Sequence, residues 1–106
     1  MRVLFDQGVS VPLRRSFTDH EVSTAYERGW STLRNGNLLD AAEQAGFEVF
    51  LTTDQNLRYE QNIDARSISI VILSTTSWPR IKLAAHQVLA ALQEASPGTF
   101  SFVEVP

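Results

Sequence analysis

Two hydrophobic periods alternate along this chain. Short runs rich in Val, Ile, Phe and Thr recur at Arg2–Phe5 (RVLF), Glu21–Thr24 (EVST), Glu48–Thr52 (EVFLT), Ser67–Leu73 (SISIVIL) and Thr99–Val105 (TFSFVEV). Each is about one strand long, and together they predict five strands. Ser67–Leu73 ends in the unbroken apolar run Ile70–Leu73, the pattern of a central strand covered on both faces. Thr99–Val105 begins by alternating and reads as an edge strand.

Between the second and third runs the spacing becomes helical. Leu38, Leu39, Ala42 and Ala45 share a face, with Asn35 or Asn37 as cap and Gly46 as stop. Pro79 opens a longer helix on which Ile81, Ala84, Ala85, Val88, Leu89 and Leu92 form one apolar stripe, and Pro97-Gly98 closes it. Val11–Arg15 and the polar stretch 55–62 are shorter helical candidates. This alternation predicts a small three-layer α/β domain, with a mostly parallel five-stranded sheet, flanking helices and right-handed crossovers.

Composition narrows the chemistry. A length of 106 residues, 43% hydrophobic and 20% charged, suits one globular domain and excludes disorder, collagen and a membrane span. With no cysteine, any site must be built from carboxylates, hydroxyls, imidazoles or amides. The net charge of −3 argues against binding nucleic acid through overall positive charge, but it is unevenly spread. Residues 1–34 carry five arginines against four acids, and residues 35–66 carry two arginines against six acids. No signal or transit peptide is read at the start, so a cytoplasmic location is expected.

In a parallel sheet, ligands gather beyond the carboxyl ends of the strands. Asp6 follows the first run and Asp54 follows the third, so the two carboxylates meet if their strands are near neighbours. Converging carboxylates repel unless a cation intervenes, and hard oxygen ligands suit Mg²⁺ or Mn²⁺. The alternative is that both aspartates only cap the turns that follow. The loop 52–59 (TTDQNLRY) is dense in polar groups: Thr52 or Thr53 could orient water, Asn56 could lend an amide oxygen, and Arg58 could meet a phosphate. An exposed helix face accounts equally well for Arg58 and Tyr59. Asn35-Gly36-Asn37 is a further polar cluster, read first as a helix cap. His20 and His86 have no partner pattern, Trp30 and Trp78 read as core edges, and no nucleophile elbow or Gly-rich phosphate loop is present.

Leu4-Phe5-Asp6-Gln7, the helix start at Asn35–Leu39 and Leu51-Thr52-Thr53-Asp54-Gln55-Asn56-Leu57 resemble, in order and spacing, the small bacterial PIN-like proteins of the nuclease and toxin group. The likeness covers residues 1–75. It implies a PIN-like (Rossmannoid) fold and a metal-dependent ribonuclease acting as the toxin of a toxin–antitoxin pair, with RNA as substrate, a cognate antitoxin as partner, and a homodimer. Asp6 and Asp54 match the metal-binding acids; Asn35 and Asn56 would complete the shell or orient water; Arg14, Arg15 and Arg58 would receive the RNA backbone, beside Thr53. The chain departs from the family pattern at Gln7, Asn35 and Asn56, where acids are usual. A weakened site that binds RNA or protein without cutting is therefore the competing expectation. A phospho-accepting receiver-like domain also begins with a strand ending in Asp, but Gln7 stands where it needs a second acid, and the only lysine, Lys82, lies at a helix start.

Overall fold

All five apolar runs form strands in the computed structural model, which describes residues 1–106. They are β1 (Arg2–Phe5), β2 (Glu21–Thr24), β3 (Val49–Thr52), β4 (Ser69–Leu73) and β5 (Phe100–Val103). The sheet has the order β2-β1-β3-β4-β5, and every pairing is parallel. As expected, β4 is buried at every position and β5 lies at the edge, where Phe100 and Phe102 are exposed and the Arg58 guanidinium rests over both rings.

Strand alternation divides the core into two layers. Val3, Phe5, Val49, Leu51, Val71 and Leu73 face one side, where they meet Leu13 and Phe17 of the β1–β2 connection and the C-terminal helices. Phe5 and Phe17 meet edge to face at 5.8 Å, a favourable geometry for two ring quadrupoles. Leu4, Phe50, Ile70 and Ile72 face the other side, against Leu38, Leu39 and Ala42 of α1 (Asn35–Gln44) and Leu57 of α2 (Leu57–Glu60). Trp30 packs on Phe47 at the rim of this second layer.

Gly46 ends α1 as its sequence position suggested. With φ +85° it lets its own N–H reach the Glu43 carbonyl and the Phe47 N–H reach that of Ala42, which satisfies two orphan carbonyls of the last turn. The expected cap is corrected: Arg34 holds the N-cap position without a side-chain bond, and Asn35 is the first helical residue, at φ +46°. Asparagine is among the few residues that enter this left-handed region at modest cost. The long apolar stripe after Pro79 is also two helices rather than one, α3 (Trp78–Leu83) and α4 (Ala85–Glu94). At the break, the Ala84 N–H bonds to the Ile81 carbonyl, three residues back, and so tightens the turn. The stripe itself survives, with Ile81, Ala84, Val88 and Leu92 buried. Val11–Ser16 is a 3-10 turn.

The expectation of uniformly right-handed crossovers is also corrected. The steps β3→β4 and β4→β5 run in the same direction across the sheet, yet the first passes over the α1 face and the second over the opposite face. The two connections therefore have opposite hands, and the last is the odd one, because β1→β2 and β2→β3 agree with β3→β4. The larger apolar layer explains it: only the short Val11–Ser16 turn would otherwise cover that face, so α3 and α4 must cross there.

One polar cluster ties α1 to the start of β4. The Glu43 carboxylate accepts from the Ser67 N–H (2.9 Å) and hydroxyl (2.8 Å) and from the Arg66 guanidinium, which also bonds Asp40. Burial opposes ionisation of Glu43, but the bonds from Ser67 and Arg66 outweigh it and hold its carboxyl below the usual carboxylate range. A carboxyl depressed in the folded state contributes stability above its unfolded pKa, and that stability is lost as pH falls through the folded value. Denaturant melts from pH 7 to pH 3 are expected to show wild type losing stability below about pH 4.5, with Glu43→Gln already lower at pH 7 by on the order of 1 kcal/mol and flatter across that window. No helix is long and apolar enough to cross a membrane.

Candidate active site

β1 and β3 are adjacent and parallel, with Phe5 opposite Leu51. The chain steps from β1 to β2 on one side and then crosses to β3 on the other, so their carboxyl ends flank the point where strand order reverses. Alternation then decides what faces the crevice. Asp6 shares the side of Leu4, and Thr52 and Asp54 share the side of Phe50, which is the side of α1. A cavity of about 280 Å³ opens there. Asp6, Gln7, Thr52 and Asp54 supply its sheet wall, Ser31, Arg34 and Asn35 its opposite polar wall, and Leu38, Phe50 and Leu57 part of its apolar floor.

One buried hydroxyl links the Asp6 carboxylate to the backbone of Asp54. Thr52 Oγ1 donates to Asp6 Oδ2 at 2.8 Å and accepts from the Asp54 N–H at 3.0 Å. Asp6 Oδ1 accepts from the Gln7 N–H at 2.8 Å, and the Asp6 N–H continues the sheet by bonding to the Leu51 carbonyl at 2.9 Å. Asp54 Oδ1 accepts from the Asn56 N–H at 3.0 Å, a local turn that opens α2. Thr52 is completely buried, so its hydroxyl has little freedom, whereas both aspartates keep partial exposure toward the cavity.

The structure sorts the expected site residues. It brings Asp6, Asp54 and Asn35 to one cavity, and the capping alternative for Asp54 also holds through its bond to Asn56. Asn56 itself is exposed and outside the cavity lining. Thr53 also lies outside it, its hydroxyl pressed against Gly8, and Thr52 occupies the inward position instead. Arg14 is engaged by Glu27, whose carboxyl the Arg14 hydrogen bonds hold below the usual range. Arg58 bonds the Tyr59 hydroxyl and stacks on three rings, and Arg15 is exposed away from the cavity lining. Ser31 and Arg34 were not anticipated. Arg34 could have been noticed as the cation immediately before the helix start, while Ser31 carries no sequence signal.

The donor set can be compared with what a hard divalent ion needs. No group of three or more His, Cys, Asp or Glu side chains is placed to hold a metal anywhere in the chain. Mg²⁺ characteristically takes one or two protein carboxylates and completes its shell with water and substrate oxygens. Asp6 and Asp54, with Asn35 and Gln7 as neutral oxygen donors, fit that open mode and not an all-protein cage. No family model, curated protein or solved structure matches the chain.

Proposed function

We propose that the protein is a PIN-like, Mg²⁺- or Mn²⁺-dependent ribonuclease that serves as the toxin of a bacterial type II toxin–antitoxin pair in the cytoplasm. The observation that carries this reading is the convergence of Asp6 and Asp54 on one cavity at the switch point of a parallel sheet, bridged by Thr52. In this reading the two carboxylates hold the ion and Asn35 lends a neutral oxygen or orients water. The ion supplies a Lewis acid that activates water and neutralises charge at a phosphodiester. The chain's own residues supply the positioning: the Gln7 N–H and the Thr52 hydroxyl fix the two oxygens of Asp6, and the turn at Asn56 fixes Asp54.

A second reading is favoured by a specific observation: the cavity holds only two carboxylates, with neutral Gln7 and Asn35 where a stronger site would carry acids. It makes the protein a module that binds RNA or a partner protein without cutting. Calorimetric titration with Mn²⁺, paired with an RNA cleavage assay in Mg²⁺ and in EDTA, separates the two. The nuclease reading expects one Mn²⁺ site and cleavage that EDTA stops. RNA binding with neither Mn²⁺ uptake at millimolar metal nor cleavage establishes the module. Relief of growth inhibition by co-expressing the product of a neighbouring small reading frame tests the antitoxin, and sedimentation tests the homodimer.

A further inference from the structure

Most of the arginines are already committed within the fold. Arg2, Arg14 and Arg66 pair with carboxylates, Arg80 donates to the carbonyls of Val105 and Pro106, and Arg28 and Arg58 lie over aromatic rings. Arg15 and Arg34 make no side-chain hydrogen bond, ion pair or ring contact. Of these two, only Arg34 lines the cavity that holds Asp6 and Asp54.

Its backbone is well fixed although its side chain is free. Arg34 is extended, at φ −135° and ψ 150°, and its carbonyl accepts from the N–H groups of Asn37 and Leu38. The cavity therefore brings residues of both signs together: two aspartates on the sheet wall, and Arg34, exposed and with no internal counter-ion, on the α1 wall. A ligand that matches both walls carries an anion for Arg34 and tolerates or recruits a cation beside the aspartates. A phosphodiester does this, because one phosphate can meet the guanidinium fork while its neighbour is approached from the carboxylate side.

We infer that Arg34 is the substrate-positioning residue of this site and holds a backbone phosphate of single-stranded RNA; this rests on the nuclease reading above. The role expected of Arg14, Arg15 and Arg58 from the sequence passes to a residue that shares the cavity with the acids. Arg34 acts on the substrate and not on the metal, so its removal weakens RNA binding while leaving metal uptake intact.

The test is fluorescence anisotropy with a labelled oligouridylate, in EDTA and again in Mn²⁺, across a salt series. Arg34→Gln is expected to weaken binding about tenfold and to reduce the slope of log K against log salt by about 0.7, the loss of one phosphate contact on a single strand. Arg34→Lys should keep the slope and recover part of the affinity, since it restores the charge without the fork. Lys82→Gln, an equal loss of charge at an exposed position on α3, should leave binding unchanged. Mn²⁺ calorimetry should not distinguish Arg34→Gln from wild type. The inference is overturned if Arg34→Gln binds RNA within twofold of wild type, if Lys82→Gln loses as much, or if Arg34→Gln changes only Mn²⁺ affinity, which would make Arg34 a counter-ion to the aspartates. If wild type takes up Mn²⁺ and cleaves RNA while Arg34→Gln binds normally, this inference falls alone. If wild type binds neither Mn²⁺ nor RNA, it falls together with the nuclease reading.

Discussion

Asp6→Asn and Asp54→Asn are each expected to reduce metal-dependent RNA cleavage by at least about 100-fold, because even the hydrogen-bond partners of metal ligands are worth about 10–100-fold. The substitution removes one negative charge from a cavity that has only two carboxylates, and no third acid stands by to replace it. It preserves shape. The Asn56 N–H still finds an amide oxygen in Asp54→Asn, so its melting transition should move by no more than about 1 kcal/mol. In Asp6→Asn the amide oxygen can serve the Gln7 N–H, but the amide nitrogen then faces the buried Thr52 hydroxyl, which loses its acceptor, so a cost of about 1–3 kcal/mol is expected. Activity against a ribonucleotide substrate in Mn²⁺ and a denaturant melt on the same preparations give both numbers. Cleavage at wild-type level by both variants would remove the aspartates from the chemistry.

The second large effect belongs to the buried threonine that orients Asp6 and the Asp54 backbone. Thr52→Val is nearly isosteric, but it deletes the hydroxyl that donates to Asp6 and accepts from the Asp54 N–H. The Asp6 carboxylate loses one of its two fixed contacts and can rotate, while the Asp54 N–H loses its acceptor. A donor left without a partner costs about 1–3 kcal/mol, toward the lower end here because the Asp54 segment is partly exposed. Mn²⁺ affinity should fall about 10–100-fold, as for other partners that orient ligands. Thr52→Ser keeps the hydroxyl and should hold metal affinity near wild type while losing some stability for the missing buried methyl. If Thr52→Val binds Mn²⁺ like wild type, the hydroxyl is a structural strut and not a positioning group.

What the sequence disclosed and what it hid differ in a physical way. The three inner strands were visible because a buried strand needs a run of apolar residues on the order of its own length, and RVLF, EVFLT and SISIVIL meet that need locally. Asp6 and Asp54 were visible for the same reason: a strand end can be located, and in a parallel sheet the strand ends share one rim. The inward place of Thr52 over Thr53 was left open from the sequence, although period-two alternation puts Thr52 with Phe50 and not with Leu51. The break at Ala84 was hidden because the apolar stripe runs through it unchanged. The partners of Arg14 and Arg58 were hidden because what an arginine meets is set across the fold. Glu27 is thirteen residues from Arg14, and Phe100 is forty-two from Arg58, with no local pattern linking them. Arg34 joined the site through the β2–α1 connection, whose path no periodicity specifies.

The position of β1 between β2 and β3 also governs when the site can exist. During synthesis β1 emerges before β3, and Phe5 cannot meet Leu51, nor Asp6 meet Thr52, until the chain has grown past residue 52 and β3 has slotted in beside it. Parallel pairing across such a separation must close a long loop before any contact compensates, which makes it a late and cooperative step. A nascent or truncated chain ending before β3 thus carries Asp6 alone, with neither its bridge nor its second carboxylate. The site is assembled by the same event that completes the central sheet, so any catalytic competence should appear with the native fold and not before it.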